Sequence, residues 1–144
     1  MDLFVYLRNM KIYTSLFVLL FLLSCQKVDF PTPESENIIG EWEWIESRGG
    51  ISGNAILTPK TQSETRQLEF KKNGKYRDCL DDERVDKGDY SIEEKSDSWG
   101  NYYLLKLEGK DINSESQLTF KSSDTISLYP VNCADCFTST YVRK

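Results

Sequence analysis

Cysteine is the residue type with most chemistry to offer in this chain: Cys25, Cys79, Cys133 and Cys136 are its four thiols, and histidine does not occur. A chain without histidine lacks the commonest general base, the usual metal ligand and the partner that activates serine and cysteine nucleophiles. Cys133-Ala134-Asp135-Cys136 has the spacing of a dithiol–disulfide couple. Redox catalysis by such a pair needs the first sulfur at a helix N-terminus, where the local field lowers the thiol pKa. No helical apolar period surrounds this pair, so a structural disulfide is expected instead. Two pairings stand open: Cys79 with Cys133 or Cys136, and Cys133 with Cys136. Zinc would need a fourth ligand from Asp78, Asp81 or Asp135, and the spacing does not supply a set. Asp78, Asp81, Asp82 and Glu83 lack the Asp-x-Asp-x-Asp-Gly order of a calcium loop and read as solvated loop. No catalytic residue, metal or cofactor is therefore expected.

Cys25 belongs to different chemistry. Arg8 and Lys11 precede the unbroken apolar run Leu16 to Leu23, which is shorter than the ~20 residues a membrane-spanning helix needs. A basic start, a short apolar run and a small residue form a secretory signal. Leu22-Leu23-Ser24-Cys25 resembles the lipobox of bacterial lipoproteins. That resemblance implies a signal peptide over residues 1–24, cleavage before Cys25, a diacylglycerol on its thiol and an acyl chain such as palmitate on the new amino group. One acyl chain holds a protein marginally, whereas two or more anchor it stably. Gln26-Lys27-Val28-Asp29 is similar to a short signal that sends some Gram-negative lipoproteins to the outer face of the outer membrane. The expected location is the cell envelope, on a lipid anchor in the outer membrane with surface display.

Residues 25–144 carry 16 basic and 22 acidic side chains. Such an acidic balance argues against nucleic acid as a partner and against electrostatic docking on anionic lipid. Residues 25–37 hold Pro31 and Pro33 among polar neighbours without an apolar period, which predicts an extended tether. Residues 38–144 are long enough for one domain with its own core.

That domain reads as β throughout. Trp42 and Trp44 alternate with glutamates, Leu68 and Phe70 with polar residues, and the same period recurs through Tyr76, Tyr90, Ile92, Tyr103, Leu105, Leu107, Leu118, Phe120, Ile126, Leu128 and Tyr141. Eight strands are predicted, near 40–48, 66–72, 75–81, 87–95, 101–108, 115–121, 125–131 and 136–143. Lys72-Asn73-Gly74-Lys75 suits a two-residue type I′ turn. Arg48 to Thr65, with Gly49-Gly50 and Thr58-Pro59, is predicted to be the one long loop. Eight short strands at near-even spacing predict an antiparallel up-and-down meander closing into a barrel.

Gly40-Glu41-Trp42 is similar to the Gly-x-Trp opening of lipocalins, and Gly49-Gly50-Ile51, Thr58-Pro59, Phe70-x-x-x-Gly74-x-Tyr76 and Gly88-x-Tyr90-x-Ile92 follow it in order. The wider pattern, Ile38 to Arg143, resembles the lipocalin-like domains of small bacterial lipoproteins. The resemblance implies an all-β, eight-stranded barrel with Trp42 plugging its closed end and an interior that takes a small apolar ligand. Ile51, Ile56 and Leu57 on the long loop, with Leu105 and Phe120 on strands, are the candidate contacts. In a meander the long loop, Cys79, the acidic run and the Cys133–Cys136 turn share one rim, opposite the rim where the tether enters. Two readings follow: a membrane-anchored, monomeric carrier of a small apolar ligand at its mouth, or a filled, non-enzymatic barrel that meets an envelope protein through its loops.

Overall fold

The computed structural model describes residues 37–144. The expected signal peptide, the lipidated Cys25 and the tether up to residue 36 lie outside the described residues. The strands are β1 Gly40–Gly49, β2 Ala55–Leu57, β3 Arg66–Phe70, β4 Lys75–Leu80, β5 Glu83–Asp97, β6 Gly100–Gly109, β7 Asn113–Ser122, β8 Thr125–Pro130 and β9 Phe137–Arg143, with one short helix α1, Pro59–Gln62. Setting β2 aside, each strand pairs antiparallel with the next, and β9 returns to β1. The eight-stranded barrel predicted from the alternation is therefore closed, and closure removes the free edges an open sheet would expose.

Two expectations are corrected. Arg48–Thr65 is not all loop: Ala55–Leu57 pairs with Ser47–Gly49, and Thr58 caps the helical turn that Pro59 begins. The bulge between Trp44 and Glu46 explains this, because below it β1 pairs with β3 and above it with β2. The type I′ turn also sits elsewhere. Leu80 pairs with Glu83 around Asp81 and Asp82, both at positive φ (50° and 64°), which is the backbone a type I′ hairpin demands. At Asn73-Gly74 only the glycine is left-handed (φ 74°), and Lys71 N–H donates to Lys75 O at 2.9 Å. That loop has three residues and a glycine bulge.

Alternation sends one face of every strand into the lumen. Trp42, Phe70, Leu105, Leu118 and Ile126 are essentially inaccessible, and Trp44, Leu68, Tyr76, Leu107, Leu128 and Tyr141 complete the core. Trp42 is buried at the end of the barrel where β1 begins. Its indole Nε1 donates to Ile38 O at 2.7 Å, and the Arg143 guanidinium stacks 4.3 Å from its ring centroid. Arg143 also donates to Ile39 O and Asn37 O, at 2.8 and 2.7 Å. One cation thus stacks on the plug and ties the first residues of the domain to its last strand.

Candidate functional site at the barrel mouth

The rim opposite Trp42 is built by the β1–β2 loop, the β4–β5 turn, Lys110–Ile112 and the β8–β9 turn. Below it the lumen changes character, because the inward phase of β3, β4 and β5 carries Arg66, Asp78 and Asp86 beside Tyr76. Asp78 and Asp86 face each other in register and both are buried. Two carboxylates in one apolar enclosure must be neutralised differently if both are to stay.

Asp86 is held as an anion. Tyr76 Oη donates to its Oδ2 at 2.6 Å, and the Lys110 and Asp111 amides reach Oδ1 at 3.2 and 3.5 Å. The phenol hydrogen bond, helped by backbone amides, holds the Asp86 carboxyl below the usual carboxylate range against the effect of burial. Burial and that same carboxylate push the Tyr76 phenol well above its usual range. Room for the pair comes from glycine. Tyr76, Gly88 and Gly109 lie in one row across β4, β5 and β6, and a Cβ on Gly109 would collide with Asp86 Oδ2 and the Tyr76 hydroxyl.

Asp78 has no such support. Burial pushes its carboxyl up, Arg66 pulls it down and Asp86 raises it further. The nearest cation atom, Arg66 Nε, stands 3.9 Å from Oδ1, outside hydrogen-bonding reach. Both Arg66 Nε and Asp78 Oδ1 are buried without a hydrogen-bond partner. The buried Tyr141 phenol, raised by burial, is the third polar group of this patch and feels both charges. Closer to β1 the polar groups are satisfied: Trp44 Nε1 donates to Ser47 Oγ at 2.9 Å, and Ser47 and Ser139 hydroxyls lie 2.8 Å apart.

The structure separates the ligand contacts expected from sequence. Leu105 is in the central core, Phe120 packs against the core and edge-on to Tyr103 at 6.5 Å, and Leu57 also packs on the core. Ile51 is 92% exposed at the loop tip and Ile56 is 47% exposed on β2. Three of the five thus lie in or against the core and two are exposed. Of the two open cysteine pairings, Cys133 with Cys136 is the one formed, with Cα atoms 5.5 Å apart. Cys79 is free, and it sits on the outer face of β4 because Asp78 and Leu80 take the inward phase. A bridge from it across the mouth is excluded by that phase. The acidic run is a turn rather than a loop: Asp81 Oδ1 accepts from Thr65 N at 2.7 Å and Asp82 Oδ1 from Gln67 Nε2 at 3.1 Å.

Arg66, Tyr76, Asp86 and Tyr141 were not singled out from sequence as site residues. A signal existed at Asp78, an acid at an inward position between Tyr76 and Leu80. No family model, no curated protein and no solved structure matches this chain.

Proposed function

We propose that this chain is a lipid-anchored envelope protein whose barrel is a filled, rigid display module, meeting a protein partner through the loops of its mouth. The observation that carries this reading is the lumen. Trp42, Trp44, Phe70, Tyr76, Leu105 and Tyr141 occupy it, and open grooves of about 410, 300 and 50 Å³ lie on outer strand faces. A narrow eight-stranded barrel filled by its own side chains offers shape rather than storage. The exposed Ile51 and Ile56 at the mouth fit a surface that meets a protein. The barrel's first strand begins at the rim opposite those loops.

A second reading, a small ligand at the mouth, rests on Arg66 Nε and Asp78 Oδ1, which form a loose ion pair at 3.9 Å but make no hydrogen bond. A ligand carrying adjacent donor and acceptor atoms would satisfy both, so its recognised part is polar rather than apolar.

Two measurements test these readings. Growth with labelled palmitate should mark the full chain and leave a Cys25→Ser variant unmarked; label on the variant would remove the anchor. Native mass spectrometry of the full chain in detergent should return the mass of the acylated protein alone. A retained small molecule that is lost on Arg66→Ala would replace the filled-barrel reading with the second one.

A further inference from the structure

We propose that the outer face of β4 and β5 is a binding site for a compact anion carrying two or more phosphate groups, separate from the mouth and independent of how the mouth is used. A groove of about 410 Å³ runs along this face, and its side-chain walls are Lys71, Lys75, Arg77, Arg84 and Lys87 over the backbone of Tyr76 and Gly88. Five cations line one groove in a chain whose net charge is −5.

The acids nearby do not balance them. Glu69 takes Arg77 at 2.6 Å and Lys71 at 3.6 Å, and Asp89 takes Lys75 at 2.6 Å. Arg84 and Lys87 make no ion pair among the described residues, so the groove keeps a surplus of positive charge.

The register sharpens the point. Arg77 stands directly opposite Lys87 on the neighbouring strand, and Arg84 lies two register positions further along, opposite Cys79. Like charges directly opposite in an antiparallel pair destabilise a sheet. A bulge between Asp78 and Cys79 brings Arg84 onto the same outer face, where regular pairing would have turned it inward with Asp86. The fold therefore holds three cations together at a cost, and a multivalent anion laid between them offsets that cost.

The chemistry of the walls suits phosphate. Two guanidinium groups offer planar, paired donors that match phosphate oxygens, and lysines add point charges around them. Among the described residues no aromatic side chain faces the groove, since the Tyr76 ring is buried in the lumen. That removes the stacking surface on which a sugar or base would rest. The groove has the volume of a small-molecule site rather than of a polymer track.

Titration calorimetry of the full chain in detergent with inorganic triphosphate tests the proposal. Saturable binding is expected, weakening steeply with added salt, and a rise in thermal midpoint on saturation. Arg84→Ala and Lys87→Ala, both at exposed positions, should each weaken binding about tenfold. Unliganded Lys87→Ala should melt no lower than wild type, because the repulsion with Arg77 is gone. Absence of binding, or binding unchanged in both variants, overturns the proposal. Tighter binding of a poly-glutamate peptide than of triphosphate assigns the groove to acidic protein instead. Equal binding of soluble dihexanoyl phosphatidic acid would refute the need for two phosphates and point to a lipid headgroup.

Discussion

Replacing Tyr76 by phenylalanine removes one hydroxyl and keeps the ring over Gly88 and Gly109. The loss falls on Asp86, whose Oδ2 loses its tyrosine donor while the carboxylate stays buried. A hydrogen bond to a buried charged group contributes about 1.5–3 kcal/mol. For a domain of this size each kcal/mol moves the melting point by roughly 4 °C, so Tyr76→Phe should melt about 8 °C lower at neutral pH. The pH dependence identifies the cause. The folded-state pKa of Asp86 is depressed, chiefly by the Tyr76 hydroxyl. Its contribution is then fully present above the unfolded carboxylate pKa, near ~3.9, and is lost as pH falls through the lower folded value. In the variant the folded pKa moves back up, so the gap between the two proteins narrows as the solution is acidified. Thermal melts followed by circular dichroism across that range provide the assay. A pH-independent gap, or none at neutral pH, would refute the assignment of the Asp86 charge to this bond.

The neighbouring carboxylate should respond in the opposite sense. Because the Asp78 pKa is raised by burial, its neutral form suits the fold, and stability is lost as pH rises through the folded value. Asp78→Asn should raise the neutral-pH melting point, by roughly 4 °C for about 1 kcal/mol; a lower melting point would mean the Arg66 pairing outweighs desolvation. Gly109→Ala places a methyl against Asp86 and Tyr76 and should cost about 1–3 kcal/mol in denaturant titration, whereas Gly53→Ala meets no atom within 4 Å, leaving only the strain of its positive φ. In a Cys25→Ser variant, maleimide should add one label to the native protein, at Cys79, and three after reduction and unfolding; any other count contradicts the pairing. Cys133→Ser opens a loop of only four residues and should cost about 2 kcal/mol by chain-entropy reasoning, measurable as a lower denaturation midpoint.

The barrel was legible in the sequence because every one of its strands advertises itself by alternation. Trp42, Leu68, Phe70, Leu105 and Tyr141 were placed inward by period alone, and inward they lie. What escaped was whatever depends on partners distant in the chain. The strand Ala55–Leu57 has no period of its own to show in three residues; it exists because the bulge in β1 frees the upper half of that strand for a new neighbour. The Asp81–Asp82 turn was hidden because aspartate is a weaker signal for positive φ than Asn-Gly. The mouth was read as a place for apolar contacts, since the loop residues Ile51, Ile56 and Leu57 are conspicuous in the sequence. Its polar floor is assembled from Arg66, Asp78, Asp86 and Tyr141, which span 75 positions and meet only through the closed sheet. A lone acid at an inward position was the legible trace of it.

Closure between β1 and β9 also sets when this molecule can become itself. Seven register pairs join Trp42–Gly49 to Phe137–Arg143, and Arg143 ties to Asn37 and Ile39. The first strand therefore has no lasting neighbour on one side until Phe137–Arg143 is free to reach it. Sequence-distant pairing of this kind slows folding, because the chain must close its largest loop before the contacts reward it. A polypeptide delivered N-terminus first, from a ribosome or through a membrane pore, can form the β3–β4 and β5–β6 hairpins early but cannot lock the barrel. Commitment to the native state waits for delivery of Phe137–Arg143, and until then the chain stays open enough to be threaded.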